Sequence, residues 1–283
     1  MIKKSINLFF VLCISAVGFS QSYPQSSADT TIVPYGDNPA AGKYYKVRGI
    51  KIYAEEYGNG APLLMIHGNG GSGKAFKKNI PYFEKHYRVI IADSRAQGKS
   101  VDSGDSLSFE MIADDEAALF DAMHIDSAYV IGWSDGGIVA LALAMRHPDK
   151  VIKLAESGAD LVPDSTGIAI VPRSWAREKK YYEENKDKTF TTPEEKNHWK
   201  VRMLDWMQPN IPLSALHSIK CPALIIGGDH DMFKIEHPMQ IYQHIPRAYL
   251  WIVPDSGHGT LHEHSDDFNR LVDNFFRTPF RER

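Results

Sequence analysis

Cysteine is scarce in this chain, with Cys13 and Cys221 the two among 283 residues. Cys13 sits in an apolar leader and Cys221 opens a later apolar run, so no internal disulfide framework and no cysteine-rich metal motif can be drawn. Charge of one sign is lacking too. The 32 Lys and Arg against 35 Asp and Glu leave a formal net charge of -3, and no basic stripe offers itself to nucleic acid or an anionic membrane. Beyond the leader no apolar run approaches the roughly 20 residues a membrane-spanning helix needs. Internal repeats and low-complexity tracts are absent. What is present is an ordinary globular composition, 43% hydrophobic and 24% charged. The length suits one large α/β domain with an inserted piece, or two small domains.

The leader has its own grammar. Lys3 and Lys4 precede the apolar stretch Ile6 to Phe19, and small residues stand at Gly18 and Ser20, which reads as a secretory signal over residues 1–20. The expected location is secreted or periplasmic, with no membrane span after its removal. Residues 21–42 are polar and rich in Ser, Pro and Gly, the composition of a linker or loose arm.

From Lys43 the pattern becomes structural. Lys43 to Val47 and Ile50 to Tyr57 alternate apolar and polar residues around Arg48-Gly49, a hairpin signal for two edge strands. Six short apolar runs follow, at Leu63 to Ile66, Val89 to Ala92, Tyr129 to Trp133, Ile152 to Ala155, Ala223 to Ile226 and Tyr249 to Val253. Such runs suit strands buried on both faces of a parallel sheet, since crossover helices cover both sides. Between them lie helical stripes: Phe109, Ile112, Ala113, Leu119, Phe120 and Met123 behind an N-cap at Ser108; Ile138, Leu141, Ala142 and Met145; and Phe268, Leu271, Val272, Phe275 and Phe276. The expected fold is α/β, a mostly parallel, doubly wound eight-stranded sheet in two core parts, 43–160 and 213–283. Residues 161–212 break the alternation. They are charged around Arg177 to Lys188 and carry Trp175, Tyr181, Tyr182, Phe190, Trp199 and Trp206, so a small helical cap across the site mouth, charged face outward, is expected there.

In such a sheet, binding residues sit on loops past the strand C-termini. The run Ala128 to Trp133 ends in Gly132-Trp133-Ser134-Asp135-Gly136-Gly137, a Gly-x-Ser-x-Gly turn that leads into a helix over Asp135 to His147. A serine held on so sharp a turn is exposed for attack, and the helix start beneath it favours developing negative charge. The hydroxyl needs a base, and the base needs an anion. His258 follows the last strand. Asp229 and Asp231 follow the one before, and Asp231 is preferred because it clears the strand end. The loop His67-Gly68-Asn69-Gly70-Gly71 can turn an amide inward, which makes the N–H groups of Asn69 and Asp135 the expected oxyanion donors. Lys74 follows that loop, but the spacing of a phosphate-binding loop is not met. Trp133, Asp135 and Gly68 are candidate substrate contacts. His258 and His262 raise a metal hydrolase as a rival, without a His-Glu-x-x-His motif to support it. A vestigial binding protein on the same scaffold is another. No metal or cofactor is required by the residues chosen.

Together these motifs resemble the α/β-hydrolase family over residues 43 to 280: His67-Gly68, the loop Asp93-Ser94-Arg95-Ala96-Gln97-Gly98-Lys99-Ser100, the Ser134 elbow, Gly228-x-x-Asp231 and Gly257-His258. Ala96 stands where the family loop has glycine. Gly-Trp-Ser-Asp-Gly-Gly and the tail around His258, His262 and Asp267-Phe268-Asn269 look like the branch of biphenyl-hydrolase-like esterases that contains valacyclovir hydrolase. That resemblance implies hydrolysis of a small ester or related acyl compound through an acyl-enzyme, with Asp135 at the position that holds a substrate ammonium. Lactone opening, carbon-carbon hydrolysis and perhydrolysis use the same triad. The partner expected is a small molecule, and the sequence sets no oligomeric state.

Overall fold

The computed structural model describes residues 33–163 and 172–282. The expected signal over 1–20, most of the 21–42 arm and the side chain of Trp175 lie outside the described residues.

In chain order the elements are β1 (Gly42–Val47), β2 (Ile50–Tyr57), β3 (Ala61–Ile66), α1 (Ile80–Phe83), β4 (Tyr87–Ala92), α2 (Phe109–Ala122), β5 (Ala128–Trp133) and α3 (Asp135–Arg146). They continue with β6 (Val151–Ser157), α4 (Pro172–Asn185), α5 (Pro193–Met207), β7 (Ala223–Gly228), α6 (Glu236–His244), β8 (Ala248–Val253), α7 (Thr260–Glu263) and α8 (Ser265–Arg277). The eight strands form one sheet in the order β1-β2-β4-β3-β5-β6-β7-β8. Strands β1 and β2 pair antiparallel and β2 is antiparallel to β4; all later pairs are parallel. Of the two hairpin strands only β1 is therefore an edge, and β8 is the edge at the other end of the sheet. The expectation of two edge strands from the hairpin fails because Ala54 to Tyr57 of β2 continue the sheet onto β4.

Apolar runs became central strands for the reason their composition gives: Leu63 to Ile66 and all of β7 are buried on both faces. One core packs α2, α3 and α6 on one face; the other packs α1, α7 and α8 on the opposite face. Phe268, Val272, Phe275 and Phe276 of α8 go into the second core, each worth about 2 kcal/mol relative to exposure. Helix α3 is not amphipathic as its stripe implied. Every residue from Asp135 to Ala144 is buried, because the helix lies between the sheet and α2. Ser108 does cap α2, its hydroxyl accepting the Met111 N–H at 3.1 Å.

Between β6 and β7 the described residues hold α4 and α5. Thr192 and Glu195 form a reciprocal capping box at the start of α5, with Pro193 at its first position. The aromatics of this region pack on each other: Tyr182 and Phe190 stack with Trp199, and the Arg202 guanidinium lies 3.6 Å from the Tyr181 ring centre. Helix α5 is fastened to the core by buried charge. Lys200 Nζ donates to Asp102 Oδ2 at 2.6 Å and to the Gly104 carbonyl at 2.7 Å.

Candidate active site

Strand β5 ends at Trp133 and α3 begins at Asp135, which leaves one residue to reverse the chain. That residue, Ser134, has φ 57° and ψ -125°, a backbone state that a non-glycine residue adopts only when its surroundings impose it. The flanking glycines are what permit it. A Cβ on Gly136 would stand 1.9 Å from the Ile66 carbonyl oxygen, and one on Gly132 would stand 2.2 Å from that of Gly136.

His258, past β8, brings Nε2 to 2.9 Å from Ser134 Oγ. Its Nδ1 lies 2.9 Å from Asp231 Oδ1, on the loop past β7. With Nδ1–H donating to the carboxylate, Nε2 is left to accept the serine proton. Asp229 faces elsewhere, pairing with His230 at 2.8 Å and accepting the Ser256 N–H at 3.2 Å. The Trp133 indole N–H donates to the His258 carbonyl at 2.9 Å, which ties the serine's strand to the histidine's loop. His262 turns edge-on to Trp133, and among the described residues no three His, Cys, Asp or Glu side chains converge as metal ligands.

The glycine-rich loop after β3 is held from behind. The Gly68 carbonyl accepts from His67 Nδ1 at 2.8 Å and from the Gly71 N–H at 3.1 Å. His67 Nε2 accepts the Ser94 N–H at 3.0 Å, and burial keeps the imidazole neutral by lowering its pKa. Across a trans peptide the N–H opposes the carbonyl, so the Asn69 N–H points away from those donors. Neither it nor the Asp135 N–H donates to any described residue. Gly68 itself lies against the serine; a Cβ there would stand 3.0 Å from Ser134 Cβ. Ala96 has φ 66°, so the Asp93 to Ser100 turn keeps the left-handed conformation its family glycine would supply.

Asp135 is buried, 6% exposed, although it starts a helix. Burial pushes its carboxyl pKa up, against the hydrogen bonds from Asp205 and Asn69 that lower it. The cavity over Ser134, about 760 Å³, adds three carboxyls that the sequence did not disclose, Asp160, Glu178 and Asp205. Loss of hydration, then the charge of Asp135, pushes Asp160 up to about 8 and raises Asp205 as well. Arg177 and Arg202 line the same cavity but are both paired with Glu178, at 3.0 and 2.6 Å. Of the cap aromatics, Trp206 is the one among the described residues that lines the cavity, beside mostly polar neighbours from α4 and α5. Asn197, Val201 and Asp205 recur every fourth residue on α5, a spacing that marks one helix face.

Comparison with known proteins agrees with this architecture. The α/β-hydrolase fold family model matches residues 61–193. Serine hydrolase BPHL of Mus musculus is 26% identical over 248 residues, covering 82% of this chain and 84% of that protein. The 2-hydroxy-6-oxononadienedioate/2-hydroxy-6-oxononatrienedioate hydrolase of Comamonas testosteroni is 26% identical over 262 residues, covering 80% and 91%. The enol-lactonase of Burkholderia xenovorans superposes with a TM-score of 0.67 at 23% identity, covering 83% of this chain and 100% of that one. The sheet order, the serine turn and the family-model match give the chain the α/β-hydrolase fold, and its relatives support a hydrolase on that scaffold.

Proposed function

We propose that the chain is a serine hydrolase that cleaves a small ester or related acyl compound through an acyl-enzyme. One observation carries the reading: His258 stands 2.9 Å from Ser134 Oγ on one side and 2.9 Å from Asp231 on the other. His258 takes the hydroxyl proton as Ser134 attacks the carbonyl carbon, and Asp231 orients the ring and stabilises its cation. The unused N–H groups of Asn69 and Asp135 receive the oxyanion. His258 then returns the proton to the leaving alkoxide, and water, deprotonated by the same imidazole, releases the acid. No cofactor enters these steps.

Asp135 beside the nucleophile, with Asp160 and Asp205 in the same cavity, favours a cationic acyl group, since a bound ammonium would stabilise the ionised carboxylates that burial alone disfavours. The leader over 1–20 puts this activity in the periplasm or outside the cell. Ser134→Ala should lower p-nitrophenyl ester turnover by about 10⁴-fold. Near-normal turnover in that variant, or a serine-directed phosphonate that labels any other residue, rejects the nucleophile.

A further inference from the structure

Glycine-rich loops are poor at holding an amide still, and the loop after β3 has glycine at 68, 70 and 71, with Gly70 at φ 63°. Something outside the loop must supply the rigidity. The Gly68 carbonyl is gripped from behind as described, and the Gly70 N–H donates to Gln97 Oε1 at 2.7 Å. Asn69 is gripped by its side chain. Its Nδ2 donates to Asp135 Oδ2 at 2.9 Å and to the Val201 carbonyl at 2.9 Å. Both partners present oxygen acceptors, so only the NH₂ end of the amide fits there and both of its hydrogens are used. The two acceptors belong to different parts of the molecule: Asp135 adjoins the nucleophile at the start of α3, and Val201 is in the middle of cap helix α5.

We infer that the Asn69 side chain is the positioning residue of the oxyanion site, fixing its own N–H by tying the loop to α3 and to α5, so that a seated cap is a condition for full turnover. The inference rests on the acyl-enzyme reading of Ser134. It adds that residue 69 acts through its side chain as well as its backbone, and that the cap takes part in preorganisation besides shaping the cavity. Helix α5 reaches this position because Lys200, the residue before Val201, is anchored to Asp102 and Gly104.

The test uses the full chain with Asn69→Ala, which keeps the backbone N–H and frees the loop, and Asn69→Asp, which keeps the shape but sets an acceptor against two acceptors. Kinetics on p-nitrophenyl acetate are read beside the affinity of a trifluoromethyl ketone, whose serine adduct carries an oxyanion. For Asn69→Ala, kcat should fall about 10- to 100-fold with KM within about threefold, and ketone affinity should fall by the same factor as kcat/KM. Asn69→Asp should lose more. Lys200→Ala should also lower kcat, and in the double variant with Asn69→Ala the losses should be less than multiplicative, since both act through one contact. Turnover and ketone affinity within about twofold of wild type in Asn69→Ala would overturn the inference, as would a rise in KM alone. Fully multiplicative losses would remove the cap from it. Phosphonate labelling of wild-type Ser134 is the separate check: absence of labelling there defeats the acyl-enzyme reading whatever the Asn69 variants do.

Discussion

Two carboxylates stand two positions apart after β7, and their geometry divides the work between them. Asp231 Oδ1 meets the imidazole at 2.9 Å from a side chain only 5% exposed, whereas Asp229 supports the Ser256 N–H and pairs with an exposed His230. Asp231→Asn should therefore lower kcat by about 10⁴-fold, because an amide there stabilises the wrong imidazole tautomer and no cation. Asp229→Asn should lower it less than about tenfold and take roughly 1 kcal/mol from stability through the weakened Ser256 contact. Steady-state kinetics on both variants decide it, and the opposite ranking would transfer the role to Asp229. The serine turn and the strand-end loops were legible because chain direction alone puts them at one rim of the sheet. Asp160, Asp205 and the side-chain role of Asn69 were not. A helical period says that Asn197, Val201 and Asp205 share a face, but which way that face turns depends on how the cap is seated, and that contact is far away in sequence. Burial of Asp135 was hidden for the same reason, since α5 brings the Asp205 that bonds to it.

That seating is a property of whole elements. Helix α4 leans on α5 through Tyr181, Tyr182 and the Arg202–Glu178 pair, while α5 stands on the core through Lys200, Lys196 and Asn69. Lys200 matters most because its side chain is 4% exposed and its partner Asp102 is buried too, so removing one charge leaves the other beside Arg95 at a longer 3.4 Å. Lys200→Ala should cost about 3 kcal/mol in urea unfolding, the range for breaking a buried ion pair. Lys196→Ala, whose partner Asp105 is exposed, should cost under about 1 kcal/mol. Equal losses in the two would mean that burial is not what gives the Lys200 pair its weight. The same distinction explains where fold reading from composition succeeded. Strands such as β3 and β7 announce two-sided burial by being apolar throughout. Helix α3 reads as a stripe of Ile138, Leu141, Ala142 and Met145, yet Val139 and Leu143 off that stripe are buried as well, and Gly136, Gly137, Ala140 and Ala144 beside them are small enough to let the sheet and α2 approach.

For the whole molecule, opposed groups of carboxyls set the pH at which the fold is firmest. The Arg146 hydrogen bond leads the causes that hold Asp114 down to about 2, with His147 and Arg48 alongside. A pKa below the unfolded value gives stability that is present above about 4 and is lost as pH falls toward 2. Glu116 and Glu156 work in the other direction. Burial, followed by the charges of Asp115 and Asp231 respectively, pushes each up to about 8, and each leaves one carboxyl oxygen without a hydrogen-bond partner among the described residues. Between an unfolded value near 4.5 and a folded value near 8 the native state holds protons that the unfolded chain has released, so stability falls as pH rises through that window. The urea midpoint of the wild type should therefore be highest near pH 5 and decline toward pH 8. Glu116→Gln with Glu156→Gln should flatten that decline, since an amide has no proton to lose, and should leave the double variant more stable than wild type at pH 8 by at least about 1 kcal/mol. A wild-type midpoint that stays level or climbs between pH 5 and pH 8 would mean that both glutamates are ionised inside the fold and find their counter-charge in it.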